Sequence, residues 1–206
     1  MRVSDLMSHV RNEVLRDHRE PGLYGSDALM RYLNEGLAQM ARRTHVFTDN
    51  FELVTKAGTR HYDAEKGTIH IQRIFDERGV ALPSFTRKSR GSVWQSRPTA
   101  FTTDSSQRRI MLHPVPDDEY KLRVVRAYRP EPLTAADEVP LDEDRALLLA
   151  EWMAYRALQN NDPDASQTIN GEGFHERWLV GLRDIKRDVV REAVGDNPSA
   201  QPQNWT

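Results

Sequence analysis

The residue types that carry most enzyme chemistry are sparse in this sequence. Its 206 residues include no cysteine, which excludes disulfides, thiolate metal sites and cysteine nucleophiles. The seven histidines include no pair four residues apart, the spacing at which a helix holds zinc. His61 and Asp63, two apart on a predicted strand, could ligate a metal from one face, but a solvent-facing pair explains them better. We therefore predict no metal and no cofactor.

Two further groups could act in catalysis, and each has a simpler explanation. The stretch Ser89–Ser92 lies in an irregular section, without the tight strand-to-helix turn that exposes a serine nucleophile. The carboxylates of Asp142, Glu143 and Asp144 could serve as acids or bases, but a helix N-terminus accounts for all three because negative charge is favoured there. No phosphate-binding glycine loop is present. The sequence thus predicts a protein that is not an enzyme.

A basic section in the middle of the chain is the strongest local charge feature. Around Trp94, with only Asp104 opposing them, stand Arg87, Lys88, Arg90, Arg97, Arg108 and Arg109. Such a section could bind the phosphates of a nucleic acid, bind an acidic protein surface, or form a solvated loop. The formal net charge of -2 gives no general attraction to nucleic acid, so any such binding has to be local. All three interpretations stay open at this point.

Hydrophobic periodicity predicts two helices at each end of the chain. One runs from about Ser4 to Arg19, and the next follows Ser26, whose hydroxyl suits an N-cap. The apolar stripe of this second helix consists of Leu29, Leu33, Leu37 and Met40. A third helix is predicted over residues 142–159. A fourth is predicted to begin at Asp162-Pro163 and to end at Gly195, with a stripe of Ile169, Trp178, Leu182, Ile185 and Val189.

The middle of the chain shows the two-residue period of strands instead. Strands are predicted around Phe51, His61, Ile69–Ile71, Val80–Leu82, Arg109–His113 and Tyr120–Val124. Arg78-Gly79 fits the turn of a hairpin. The section from Pro83 to Gln107 has little periodicity, and we predict a long excursion there with one short strand near Trp94.

These elements predict an α+β fold, with a helical bundle of four main helices, an inserted antiparallel β domain and an extended C-terminal tail. In this prediction residues 1–45 and 140–195 are two halves of the bundle, and residues 46–139 are the β domain with its long loop. Residues 196–206 are predicted to be a flexible tail with Trp205 as its apolar anchor. Charged residues interrupt the first twenty positions, so we expect neither a signal peptide nor a membrane span.

Several short segments follow one another in a characteristic order and spacing. They are Asp27–Leu29 and Leu33–Leu37 in the N-terminal helices, Lys56–Thr59 leading to Tyr62, Arg73-Ile74, Ile110–Pro116, Tyr120–Tyr128 and Ala150–Met153. Together these segments resemble the bacteriophage head-to-tail connector (adaptor) family over most of the chain. The arginine-rich section from Pro83 to Gln107 departs from the family pattern.

The resemblance implies a structural virion protein without catalysis. It implies a homo-oligomeric ring, a dodecamer, that binds the portal protein, extends the DNA channel and provides the platform for tail or nozzle proteins. Genomic DNA would pass through this channel during ejection without sequence-specific binding. The protein would be made in the host cytoplasm and reside at the head-tail junction, away from any membrane.

The expected partner contacts combine the basic section with the tail, namely Arg87, Lys88, Arg90, Trp94, Arg97 and Trp205. The alternative function is nucleic-acid binding through the arginine-rich segment 87–109. An enzyme whose site is assembled between subunits is a third class, for which the sequence offers no residues.

Overall fold

Helices and strands occupy separate parts of the computed structural model, which describes residues 1–19, 22–85, 94–104, 106–159 and 171–195. The helical unit comprises Met1–Val46 and Glu131–Thr206, and the β unit comprises Phe47–Pro130. Helices and antiparallel sheets together confirm the predicted α+β class. The bundle with an inserted domain stays a prediction, and the predicted tail lies outside the described residues.

Four α-helices lie in the described part of the helical unit: α1 (Val3–His9), α2 (Ser26–Thr44), α3 (Glu143–Gln159) and α4 (Gly171–Gly195). The predicted start of the fourth helix at Asp162-Pro163 lies outside the described residues. The predicted apolar stripe of α2 is buried throughout. Of the predicted stripe on α4, Trp178, Leu182 and Ile185 are buried and Val189 is half-buried, while Ile169 lies outside the described residues.

Helices α2 and α3 approach each other closely at Gly36. A methyl group at this position would lie 2.8 Å from Cδ1 of Trp152 and 3.1 Å from Cδ2 of Leu149. The ring of Trp152 in turn contacts that of Trp178 on α4, with 5.6 Å between the ring centroids. Because both tryptophans are buried, they join three helices into one core.

The first helix is shorter than the predicted span of residues 4–19. Helix α1 gives way to a π-helical turn at Val10–Val14, in which the amide of Leu15 donates to the carbonyl of Val10 at 2.9 Å. This bond spans one residue more than an α-helical bond does. Arg16 then has a φ of 51°, which ends the right-handed helix.

The loop before α2 contacts the segment in which this helix ends. Arg11 Nη2 donates to the carbonyl of Tyr24 at 2.7 Å and to Oγ of Ser26 at 3.3 Å. The buried carboxylate of Asp17 accepts a hydrogen bond from the amide of Tyr24 at 3.1 Å. The prediction of Ser26 as the N-cap is wrong: Gly25 occupies that position without a side-chain cap, and the Ser26 hydroxyl accepts from Arg11.

The β unit contains two antiparallel sheets. From edge to edge, the larger sheet consists of β1 (Thr48–Val54), β7 (Lys121–Tyr128), β3 (Thr68–Phe75) and β4 (Ala81–Leu82). The smaller sheet consists of β2 (His61–Asp63), β6 (Arg109–His113) and β5 (Ala100–Thr103). The strands predicted from the two-residue period are confirmed, as is the hairpin turn at Arg78-Gly79.

One apolar core joins the two sheets. It consists of Leu53, Ile71, Ile74, Leu82, Leu122 and Val124 from the larger sheet and Phe101, Ile110 and Leu112 from the smaller sheet. Phe51 and Leu53 of β1 and Leu122 and Val124 of β7 face this core, which places Glu52, Lys121 and Arg123 on the opposite face of the larger sheet.

Strand β5 corrects the expectation of an irregular excursion from Pro83 to Gln107. Its Phe101 is buried in the core and pairs with a residue of β6. Trp94, near which the sequence predicts a strand, is exposed, and its neighbour Gln95 forms only an isolated bridge to Val115. Strand β5 has only four residues, too few to show an alternation of apolar and polar side chains in the sequence. Its pairing with β6 stabilises it.

Candidate interaction surfaces

Trp94 and Phe85 stand at the two ends of the segment 86–93. The amide of Phe85 donates to the carbonyl of Phe101 in β5 at 2.9 Å. After Trp94, the amide of Ser96 donates to the carbonyl of Val115, just beyond β6, also at 2.9 Å. Both ends are therefore held by the smaller sheet and its continuation. Outside the described residues lie four of the predicted partner residues, Arg87, Lys88, Arg90 and Trp205.

Three large apolar side chains in this part of the β unit are exposed. Val80 and Trp94 are each 58% exposed, and Phe85 is 54% exposed. We call these three residues the apolar trio. Exposed aromatic side chains are typical of protein contacts, where aromatic residues and arginine are enriched. Phe85 and Val80 are absent from the predicted partner residues: Phe85 is a single apolar residue in an irregular section, and Val80 belongs to a predicted strand, so each fits a core equally well.

Arg97, another predicted partner residue, is engaged within the β unit. Its guanidinium pairs with Asp76 at 3.4 Å and with Glu77 at 3.6 Å. It also lies over the ring of Tyr120, 5.2 Å from the centroid. These contacts hold the turn between β3 and β4. The contact of Arg97 with a partner stays a prediction, and the structure gives this residue a positioning role as well.

The outer face of the larger sheet is basic. Lys121 and Arg123 of β7 point away from the core and are exposed. The Arg123 guanidinium stands 4.6 Å from the ring centroid of Phe75, and Lys121 pairs with Glu52 at 3.8 Å. Residues opposite each other in antiparallel strands share a face. The basic face, as we call it, comprises Glu52 and Val54 of β1, Lys121 and Arg123 of β7, and Arg73 and Phe75 of β3.

The two units carry net charges of opposite sign. The β unit has 15 lysines and arginines against 10 aspartates and glutamates, which gives +5. The helical unit has 14 against 21, which gives -7. The overall charge of -2 conceals this separation, because it appears only once the boundaries of the units are known.

Arg126 is a buried cation that holds the β unit together. It is 7% exposed, and its guanidinium donates to the carboxylate of Asp49 at 2.7 and 3.0 Å. It also pairs with Glu65 at 2.8 Å and donates to Oγ1 of Thr68 at 3.0 Å. The hydrogen bonds to Asp49 raise the pKa of Arg126 above its usual value, although burial opposes this rise. The cluster therefore connects β1, β7 and the start of β3.

His113 occupies a basic and partly buried setting at the end of β6. Nη2 of Arg60 lies 2.9 Å from its Nδ1, and Oγ1 of Thr102 lies 3.4 Å from its Nε2. Burial lowers the pKa of His113, and the charges of Arg60 and His61 lower it further. A neutral ring whose Nδ1 accepts from Arg60 fits this arrangement. His113 thus has a structural role in the sheet.

The residues that the sequence offers for catalysis do not form a site. His61 and Asp63 lie exposed on β2, and Asp63 pairs with Arg109 at 3.6 Å. Asp142 accepts a hydrogen bond from the amide of Arg145 at 2.9 Å, which confirms its predicted role at the start of α3. Within the described ranges, no three histidine, aspartate or glutamate side chains come together to hold a metal. The absence of catalysis stays a prediction.

The fold and these surfaces define a class of protein. The polar clusters of Arg126 and Arg97 stabilise the β unit, while its apolar trio and basic face are available to other proteins. Among the described helices, none combines the length and the apolar content that crossing a membrane requires. Exposed aromatic and basic surfaces on a folded unit are typical of proteins that act by contact with other proteins.

A comparison with protein families specifies this class further. The family model described as SU10 adaptor protein matches residues 1–198. The chain therefore belongs to this family of phage head-to-tail adaptors, which confirms the resemblance seen in its sequence. The family is structural, and membership suggests a component of the virion. No curated protein matches the chain.

Proposed function

We propose that the protein binds the portal as a ring, extends the DNA channel and forms the platform on which tail or nozzle proteins attach. Family membership over residues 1–198 carries this proposal. The proposal includes a dodecameric ring at the head-tail junction. Genomic DNA would pass through this ring during ejection without sequence-specific binding. Assembly would follow synthesis in the host cytoplasm.

In this proposal the helical unit forms the ring wall. A ring of identical subunits repeats one heterologous interface, so each subunit needs two different surfaces that fit each other. Helix α4 supports this role because Val180 and Val190 are about half exposed, although Trp178 and Leu182 of the same helix are buried. Neighbouring copies would cover the exposed valines.

The β unit, in the same proposal, meets an adjoining protein. The apolar trio supports this role, because Phe85 and Trp94 are exposed while their backbones are held by hydrogen bonds nearby. The basic residues Arg87, Lys88 and Arg90 would add charge to the contact. Trp205 would anchor the tail to a second partner.

The native mass of the protein, alone and mixed with the portal protein of the same phage, tests the proposal. We expect a portal complex that is heavier by a whole number of subunits and longer along its axis in negative-stain images. An unchanged portal mass and the absence of any ring under assembly conditions would contradict it.

Paired variants test the part assigned to the apolar trio. Trp94→Ala removes an exposed aromatic side chain from the β unit, and we expect portal or tail-protein binding to weaken by about tenfold or more. Leu23→Ala is the control, since it removes an exposed apolar side chain from the helical unit. Equal binding by both variants and the unmodified protein would remove the trio from the interface.

Nucleic-acid binding through segment 87–109 is the competing function, favoured by the charge of +5 on the β unit. It predicts DNA affinity that falls steeply with salt and is lost in the variant R87E/K88E/R90E. The adaptor proposal predicts weak binding at every salt concentration. Fluorescence anisotropy with a labelled duplex at 50 and 200 mM salt separates the two.

A further inference from the structure

The separation of charge between the units affects how copies of this chain can meet. Two β units at +5 repel each other, and so do two helical units at -7. Contact between a β unit and the helical unit of another copy is attractive. Electrostatics therefore favours contacts between unlike units of two copies, and a head-to-tail arrangement that closes a ring provides such contacts.

The basic face lies on the larger sheet of the β unit. Lys121 and Arg123 extend from β7, which has β1 on one side and β3 on the other. The ring of Phe75 supports the Arg123 guanidinium, so its charge is held in place rather than spread over many rotamers. Lys121 pairs with Glu52 on this face, and the backbone amide of Lys121 donates to Oε1 of Glu77 at 3.0 Å.

The helical unit offers a complementary surface. Residues 131–144 contain six aspartates and glutamates and no lysine or arginine. Glu131 and Glu138 in this segment are exposed. This segment is therefore the acidic surface that we assign to the contact, and it supplies positions where the charge can be reversed.

We infer that the basic face of one subunit docks against the acidic helical unit of a neighbouring copy. This inference rests on the proposed function, since it assigns the surface with which subunits of the ring meet each other. The contact is heterologous: Lys121 and Arg123 of one copy face carboxylates of the next. Salt therefore weakens the association of subunits, because exposed charges carry it.

Charge reversal on the basic face is the first test. In the variant K121E/R123E we expect the association constant of subunits at low salt to fall by about tenfold or more, because like charges now meet. The control is K66E/R78E, which changes the net charge equally but alters exposed residues outside the basic face. We expect the control to assemble nearly as the unmodified protein does, and thermal unfolding shows whether each variant is folded.

A mixing experiment tests the pairing itself. The variant E131K/E138K makes the helical unit less acidic, and we expect it to assemble poorly alone. In a mixture with K121E/R123E, the now acidic face of one variant meets the now basic segment of the other, and the unchanged basic face meets the unchanged acidic segment. Both contacts are attractive, so we expect oligomers that contain both variants. Native mass spectrometry of the two variants, alone and mixed, counts the copies of each.

Four outcomes decide the inference. Loss of assembly in each variant alone and its recovery in the mixture support it. Unchanged rings of K121E/R123E overturn it while leaving the adaptor function intact. Rings that form normally but no longer bind the portal assign the basic face to the portal instead, and also overturn it. If the unmodified protein forms no oligomer with or without the portal, the inference and the proposed function both fail.

Discussion

Trp178 in the helical unit and Arg126 in the β unit are both buried, but they stabilise their surroundings in different ways. Trp178 packs against Trp152, within a core of apolar helix faces. Arg126 is held by the carboxylates of Asp49 and Glu65. Apolar packing is insensitive to the exact partner atoms, whereas a buried charge requires each of its partners.

The surfaces of the two units differ as well. The helical unit is acidic and exposes valines on α4, whereas the β unit is basic and exposes the apolar trio. A subunit that meets several proteins needs surfaces that cannot be confused with one another. The difference in charge suits such a division of contacts, and substitutions in the two units should therefore act differently.

The largest expected effect comes from the helical core. Trp178→Ala leaves a cavity among three helices, and we expect the free energy of unfolding to fall by about 3–5 kcal/mol. Lys186→Ala on the exposed side of the same helix is the control, with a change within about 0.5 kcal/mol. Urea unfolding followed by tryptophan fluorescence and circular dichroism measures both. A loss below 1 kcal/mol for Trp178→Ala would place this side chain outside the core.

The next effect comes from the buried charge of the β unit. Arg126→Ala leaves Asp49 and Glu65 without their cation, and we expect a loss of about 2 kcal/mol, below that of a fully buried pair because both carboxylates are partly exposed. The comparison becomes sharper with Arg126→Lys, which keeps the charge but cannot bond to Asp49 with two nitrogens. Recovery of full stability by lysine would show that charge alone suffices.

A smaller effect is expected at the turn between β3 and β4. Arg97→Ala removes the ion pairs to Asp76 and Glu77. We expect a loss of about 0.5–1 kcal/mol, because Arg97 is partly exposed and Asp76 keeps its hydrogen bonds from the amides of Arg78 and Val80. The loss should shrink in 1 M salt, whereas that of Trp178→Ala should not. Equal losses at low and high salt would show that Arg97 acts through packing on Tyr120.

The smallest expected effect is a change in how the stability of the protein depends on pH. The pKa of His113 lies below its usual value of 6.5 in the folded protein, so the unfolded chain takes up a proton first as the pH falls. Stability is therefore full above about pH 6.5 and declines as the pH falls through that value toward the folded pKa. His113→Gln should show a shallower decline between pH 7.5 and 5.5. If the melting temperature falls equally steeply with pH in the unmodified protein and in His113→Gln, the assignment of this pH dependence to His113 is wrong.

Features that depend on local periodicity could be predicted from the sequence. Leu29, Leu33 and Leu37 recur at helical spacing, and Leu122 and Val124 alternate as a strand requires, so each buried face was evident. The α+β class followed from the order of these elements.

Features that depend on distant partners could not be predicted. Arg126 and Asp49 are 77 positions apart, and only the pairing of β1 with β7 brings them together. Within the π-helical turn Val10–Val14, Arg11 bonds to the carbonyl of Tyr24, 13 positions away in the loop before α2. Of the predicted partner residues, Trp94 was recognisable as an aromatic in a basic section, but the engagement of Arg97 by Asp76 and Glu77 was not.

Hydrogen exchange of the protein, free and bound to the portal, tests most directly whether this chain is an adaptor with separate roles for its units. We predict slower exchange in the bound state for peptides covering residues 80–85 and 94–99 of the β unit. Peptides that cover α2 and α3, whose inward residues are buried, should exchange at the same slow rate in the free and the bound protein. Unchanged exchange throughout the β unit in a mixture with intact portal rings would contradict the account.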